Sequence, residues 1–246
     1  KTGQIQNPRW PKREQNTRGK MKYHIEFDLE LKKNPYPGKL IVIEGIDGSG
    51  KTTQAQKVTE ALNGKGIKSI LTKEPTDEAT GKLIRRILSG ETNLPSVAFQ
   101  YLFSADRAVH QVQIEDYLKK DITVVSDRYF WSSVVYGMVD KEIDFKKKNG
   151  DRENLLVALS ILSMYHQFLL PDFSFALKVS VATALERIKR KDKHIEIYEK
   201  ESKLKKLATG YDWLTKQFPK EITVMNGEKS VEEVTKEIIK IIKNHE

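Results

Sequence analysis

Glu44-Gly45-Ile46-Asp47-Gly48-Ser49-Gly50-Lys51-Thr52-Thr53 decides how this chain folds. From Gly45 to Thr52 it reads G-x-x-x-x-G-K-[ST], and the apolar run Leu40-Ile41-Val42-Ile43 stands directly before it. A buried strand therefore feeds a glycine-rich turn whose successive N–H groups face inward around phosphate oxygens. Lys51 adds a mobile positive charge, and the Thr52 hydroxyl is a ligand for Mg2+. A helix follows, because Ala55, Val58, Ala61 and Leu62 share one face before Gly64 stops it, and its N-terminus points at the bound anion. The expected ligand is a nucleoside triphosphate, held by Gly45, Ile46, Asp47, Gly48, Ser49, Gly50, Lys51, Thr52 and Thr53. A chance glycine-rich turn explains the loop but not the strand, loop and helix in register.

Around this loop the bulk properties are those of a folded protein. The chain has 246 residues, 38% of them hydrophobic, which is enough for one domain or one domain with an extension. No stretch approaches the roughly 18 consecutive apolar residues of a membrane span, and the first residues lack an apolar signal core. Zero cysteines exclude disulfides, thiolate metal sites and a cysteine nucleophile, and a soluble, cytoplasmic protein is expected. The net charge of +9 suits nucleic acid, an acidic surface or a polyphosphate substrate. Much of the excess sits near the N-terminus and in lysine-rich helices, so it reads as solvated surface, and neither nucleic acid nor a membrane is an expected partner.

Residues 1–20 form a polar, basic arm, and Met21 is a candidate native start. Tyr23, Ile25, Phe27, Leu29 and Leu31 alternate with polar residues, predicting a half-buried strand over 23–31 that adds to a sheet edge or a partner chain. Residues 32–37 are a turn-forming linker, which leaves 1–37 as an N-terminal extension and 38–246 as the P-loop domain. Apolar runs at 69–71, 122–125, 173–179 and 222–224 alternate with helical stretches and join the first strand in an α/β, parallel sheet with helices on both faces. Ser230 and Glu233 make a capping box for the closing helix. Leu155 to Leu170 is apolar nearly all round and predicts a central helix or part of a subunit interface.

Ligands of open α/β sheets bind beyond the carboxyl ends of the strands, where three charged clusters fall. Asp127-Arg128-Tyr129 follows a strand, offering a carboxylate for Mg2+ and a guanidinium for a second phosphate; a structural ion pair is the alternative. Lys73-Glu74-Pro75 follows another, ahead of a helix with Arg85 and Arg86, and ordinary surface charge explains it nearly as well. Phe103 and Arg107 lie four apart on one helical face, a ring and a fork between which a planar base fits, unless Phe103 is core and Arg107 an ion-pair partner. Arg187, Lys189, Arg190, Lys191 and Lys193 read either as a solvated helix end or as a lid over about 187–197 that closes positive charge on a transferred phosphoryl group. The histidines show no metal-ligand spacing.

Taken in order and spacing, the loop with Gln54, Glu74-Pro75, Leu102-Phe103-Ser104-Ala105-Asp106-Arg107, Asp127-Arg128-Tyr129 with Ser132 and Tyr136, and the basic lid resemble the thymidylate kinases among the P-loop nucleoside monophosphate kinases. The resemblance runs from about Leu40 to the C-terminus. It implies a three-layer fold on a five-stranded parallel sheet, a homodimer, and transfer of the γ-phosphoryl of ATP to dTMP with Mg2+, giving dTDP. By the same resemblance Lys51 and the loop amides hold the donor phosphates, Asp47 approaches the acceptor phosphate and Arg128 binds it. Thr52 and Asp127 organise Mg2+, Phe103 stacks on thymine, Arg107 hydrogen-bonds the base, Glu74, Pro75 and Ser132 line the acceptor site, and Tyr136 packs by the sugar. Gly48 follows Asp47 where one branch of the family has arginine, so the lid supplies that charge, Arg190 foremost and Arg187 next. Lys73, Gly137 and Lys178 depart from the family's usual arginine, glutamine and aspartate. A kinase for another monophosphate or a deoxynucleoside is the alternative enzyme, and a nucleotide-binding regulatory or nucleic-acid-binding protein the alternative of another class.

Overall fold

The computed structural model describes residues 14–15, 21–22, 30–146, 151–191 and 200–244. The chain divides into two units, Lys1–Glu30 and Leu31–Glu246. In the first, β1 (Glu14–Gln15) pairs antiparallel with β2 (Met21–Lys22). The strand expected over 23–31 has residues 23–29 outside the described ones.

The second unit opens with β3 (Lys32–Lys33), inside the stretch expected as linker, pairing parallel with β7 (Leu169–Leu170). Its main sheet has five parallel strands in the order β5-β6-β4-β8-β9: β4 (Leu40–Gly45), β5 (Ser69–Lys73), β6 (Thr123–Asp127), β8 (Phe173–Lys178) and β9 (Thr223–Asn226). From β4 the chain crosses to the edge strand β5, returns to β6 beside β4 and then passes to β8 and β9 on the other side, so the connections part at the carboxyl end of β4 and open a crevice there. α1 (Lys51–Asn63) and α8 (Val231–Lys243) cover one face. There Ile41, Ile43, Val58, Leu62, Phe175 and Ile238 pack with at most 1% exposure, each burial contributing about 1.5–3 kcal/mol. α8 carries the capping box of Ser230 and Glu233.

The opposite face holds α3 (Ser96–Leu118), α4 (Phe130–Asp140) and α7 (Glu201–Gln217), with α5 (Asp151–Leu162) packed on α4. α2 (Ala79–Leu88) lies along α3, and α6 (Val181–Lys191) against α7. The helix expected across 155–170 is a correction: it ends at Leu162, and Leu169–Leu170 are extended. Tighter turns close it, with Tyr165 N–H donating to Leu162 at 2.8 Å. Pro171 then disfavours the helical region at Leu170, whose backbone pairs with β3. Nor is α5 buried all round, since Leu156 is 61% exposed.

Candidate active site

Alternation along β4 sends Ile41 and Ile43 into the α1–α8 core and turns Glu44 to the other face, where α4 begins. The N-cap residue of α4, Tyr129, contributes no capping side chain. Glu44 does it instead. Its Oε1 accepts the Tyr129 and Ser132 amides at 3.0 and 3.2 Å, and its Oε2 the Ser132 and Tyr211 hydroxyls at 2.5 and 3.0 Å. Burial pushes the Glu44 carboxyl up, against these bonds and the nearby Arg128.

Asp127 and Arg128 stand where β6 gives way to α4. Arg128 has φ 74, a left-handed conformation that costs a non-glycine residue of order 1–3 kcal/mol. Its backbone is pinned there by donation to Ile43 O at 3.0 Å and by acceptance from Ser126 Oγ at 2.7 Å. The side chain therefore turns back over the loop. Its Nη2 donates closely to Asp47 and to Tyr136 Oη at 2.9 Å, and its Nη1 to Ser132 Oγ at 3.0 Å. Asp47 also takes the Tyr136 hydroxyl at 3.0 Å and lies 3.5 Å from Lys51 Nζ. Burial alone would raise the Asp47 carboxyl, but Arg128 and Lys51 hold it well below the usual carboxylate range. Burial, reinforced by Arg128, lowers the Lys51 ammonium.

Gly48 and Gly50 have φ 75 and 97, conformations costly for side-chain-bearing residues. Gly50 caps α1 with no side-chain bond, which leaves the N-terminal amides of that helix for an anion. Thr52 Oγ1 donates to Asp127 Oδ2 at 2.5 Å, while Asp127 Oδ1 is buried with no partner. One carboxylate and one hydroxyl fit Mg2+, a hard cation that completes its shell with phosphate oxygens and water. Arg187 rests on the loop, its Nη1 donating to Ser49 O at 3.2 Å and its Nη2 to Gly227 O at 3.1 Å. Arg190 does not: it pairs with Glu186 at 2.5 Å in solvent. Residues 192–199 of the expected lid lie outside the described ones.

Next to the loop is a cavity of about 220 Å³ whose walls include Asp47, Asp127, Arg128, Tyr136, Phe103 and Arg107. Glu74, Pro75 and Ser132 line it too, and the Glu74–Pro75 peptide is cis. Arg107 is buried, with Nε donating to Glu74 Oε2 at 2.9 Å, Nη2 donating closely to the same oxygen, and Nη1 donating to Ser133 Oγ at 3.0 Å. Its guanidinium also lies 4.8 Å from the centre of the Tyr165 ring. Arg107 is thus the ion-pair partner that the sequence allowed as an alternative, and it also lines the cavity. Phe103 packs on Phe99 with 4.7 Å between ring centres and keeps one side to the cavity.

His110 holds Glu74 from behind: its Nδ1 is 3.0 Å from Glu74 Oε1, and its Nε2 is 2.7 Å from Thr72 Oγ1. Burial alone would raise the Glu74 carboxyl, but Arg107 and His110 hold it down. Glu44, His110 and Tyr211 were not singled out in the sequence. A glutamate closing the apolar run 40–43 was the signal for Glu44, and the three-residue spacing from Arg107 on α3 was one for His110, whereas Tyr211 is brought in from the distant α7 and carries none. Lys73 pairs with Asp77 at 3.3 Å and Lys178 with Asp212 at 2.6 Å.

The family model for thymidylate kinase matches residues 43–238. The chain belongs to the thymidylate kinase family. It is 41% identical over 204 residues to a probable thymidylate kinase of Methanocaldococcus jannaschii, covering 83% of this chain and 95% of that protein. A probable thymidylate kinase of Pyrococcus horikoshii is 35% identical over 213 residues, covering 84% of this chain and 97% of that one. The solved thymidylate kinase of Candida albicans superposes with a TM-score of 0.71 at 29% identity, over 85% of this chain and 92% of that one. The thymidylate kinase fold accounts for the three-layer architecture and the five parallel strands.

Proposed function

We propose that this chain transfers the γ-phosphoryl group of ATP to the phosphate of dTMP, giving ADP and dTDP by in-line displacement. One observation carries the reading: Asp47 of the loop is paired with Arg128 and both line the cavity, so donor and acceptor phosphates would meet at one charged boundary. The transferring group is loosely bonded in transition, so positioning and electrostatics are the main work of the protein. An acceptor-phosphate oxygen bonds to the γ-phosphorus while the bond to the bridging oxygen breaks. The attacking acceptor oxygen is ionised near neutral pH, since the second ionisation of a phosphomonoester lies at about 6, so the step requires no general base.

In this reading Lys51 and the loop amides hold the donor phosphates, and Arg128, steadied by Ser132 and Asp47, anchors the acceptor phosphate. Phe103 stacks on the base, Arg107 hydrogen-bonds it from its seat on Glu74 beside Pro75, and Tyr136 packs by the sugar. Thr52 and Asp127 would hold Mg2+, which when bound neutralises charge on the donor phosphates. Arg187 keeps α6 on the loop, and Arg190 adds charge once it leaves Glu186. Residues 1–37 are assigned to an extension and 38–246 to the kinase domain with its lid over about 187–197. A homodimer is part of the proposal, supported by an exposed stripe of Val97, Tyr101, Ala105, Ala108 and Val112 along α3. A cytoplasmic address is supported by the absence of cysteine. Among the described residues no helix is long and apolar enough to cross a membrane.

The test is a panel of nucleoside monophosphates with ATP and Mg2+, read as ADP release. The expected outcome is the highest kcat/KM with dTMP. Absence of ADP release with every acceptor would reduce the protein to a nucleotide-binding module.

A further inference from the structure

Glu44 is wholly buried and does not line the acceptor cavity, yet it accepts more than a helix cap requires. Its bonds from the Tyr129 and Ser132 amides complete the cap of α4. The other two come from hydroxyls, Ser132 Oγ at 2.5 Å and Tyr211 Oη at 3.0 Å, which are themselves 2.9 Å apart. Ser132 Oγ also accepts from Arg128 Nη1 at 3.0 Å, a closer hold than that of Gly45 O at 3.4 Å. One hydroxyl therefore separates a buried carboxylate from the guanidinium that faces the acceptor phosphate. The inventory of donors and acceptors fixes the sense of each bond. An ionised carboxylate only accepts, a guanidinium only donates, and a hydroxyl has one proton and two lone pairs. Arg128 needs a lone pair of Ser132, so the Ser132 proton must point elsewhere, and Glu44 takes it. The Tyr211 proton goes to Glu44 or to the second lone pair of Ser132. Every group is then paired, and the Ser132 hydroxyl keeps no proton for a substrate.

We propose that Glu44 is a positioning residue for the acceptor phosphate: by taking the Ser132 proton it turns the Ser132 oxygen toward Arg128 and so fixes the guanidinium that the phosphate meets. The inference rests on the dTMP reading above. Glu44 itself touches no substrate. Four donors converging on one carboxylate suit its ionised form, and bonds to an ionised acceptor are the stronger ones. With glutamine in its place one oxygen still serves the two amides, but an amino group replaces the oxygen that served the hydroxyls. Ser132 then faces one donor too many. Either Tyr211 keeps a buried proton without an acceptor, or Arg128 loses its lone pair on Ser132.

The test reads kcat/KM for dTMP, with ATP and Mg2+, beside the inhibition constant of thymidine, which keeps the base and sugar but lacks the phosphate. Glu44→Gln should lower kcat/KM for dTMP by about tenfold or more and leave the thymidine constant within about twofold of wild type. Ser132→Ala keeps both amide bonds of Glu44 and should show the same pattern, which tests the link even where Glu44→Gln does not fold. In the double variant the loss should stay within about threefold of the larger single loss, because both substitutions cut one connection. A role confined to capping α4 predicts otherwise, since the cap survives in Ser132→Ala and the two losses would multiply. Multiplied losses, a kcat/KM for dTMP within about twofold of wild type in either single variant, or an equal weakening of thymidine in Glu44→Gln would each overturn the inference. Failure of the underlying reading has another signature. Wild type that releases ADP with a different monophosphate and not with dTMP removes the thymine assignment, and the phosphate link is then read with that monophosphate and its nucleoside; no release with any acceptor removes both.

Discussion

Arg128 is where the two halves of the site meet. Its left-handed backbone and its bonds to Asp47, Ser132 and Tyr136 fix the guanidinium before any phosphate arrives. Preorganised charge of this kind is worth about 3 kcal/mol in the transition state, so Arg128→Ala should lower kcat roughly 100-fold in steady-state assays. Activity within a few-fold of wild type would remove Arg128 from the mechanism. Arg190→Ala carries the same expected loss although Arg190 is paired away from the loop, which makes it the sharper test of the lid assignment. Glu74 makes a stability prediction with a defined sign. Its folded-state carboxyl lies below the ordinary 4.5, so its contribution is fully present above that pH and is lost as the pH falls below it. Glu74→Gln leaves Arg107 buried without its counter-charge and should cost about 3–5 kcal/mol at neutral pH in urea titrations. The gap to wild type should narrow on acidification below about 4.5; a gap independent of pH would contradict the linkage.

At the scale of elements, the loop and α6 are coupled by contact. A Cβ on Gly48 would sit 2.3 Å from Ala184 O, on a backbone whose φ of +75 already disfavours side chains. Gly48→Ala must therefore displace either the loop or α6, and with it Arg187, whose guanidinium bridges Ser49 O and Gly227 O. Loss of ATP affinity by about tenfold or more, measured by titration calorimetry, is the expected result. An unchanged Kd would mean that the loop tolerates the shift. These elements were legible to different degrees. The P-loop, its strand and α1 declare themselves because glycine conformation, apolar runs and helical periodicity are local properties. The end of α5 does not, because an apolar run has the same appearance in helix and strand. Pairing of Leu169–Leu170 with Lys32–Lys33 decides the matter across the whole length of the domain.

For the whole molecule, the stripe on α3 bears on assembly. Tyr101 and Val112 are 62% and 64% exposed on a long helix whose other face, with Phe99, Ile114 and Leu118, is buried. A dimer closing over this stripe predicts that Tyr101→Glu with Val112→Glu halves the apparent mass in sedimentation experiments relative to wild type. Wild type that sediments as a monomer would refute the dimer. The acceptor cavity is also a property of the assembled fold, since α3, α4 and the ends of β5 and β6 each lend it a wall.

The sequence by itself determined the donor half: a ten-residue run from Glu44 to Thr53 carries its own geometry, because phosphate is held by consecutive backbone amides. It also marked Asp127, Arg128, Phe103 and Arg107 as candidates, though each kept a structural alternative. Only tertiary structure decided that Glu44 caps α4, and that Arg107 is seated by Glu74, itself held by His110. The physical reason is range. Backbone conformation is set by neighbours in sequence, whereas burial, pairing of charges and the want of a hydrogen-bond partner exist only once distant segments have been packed together.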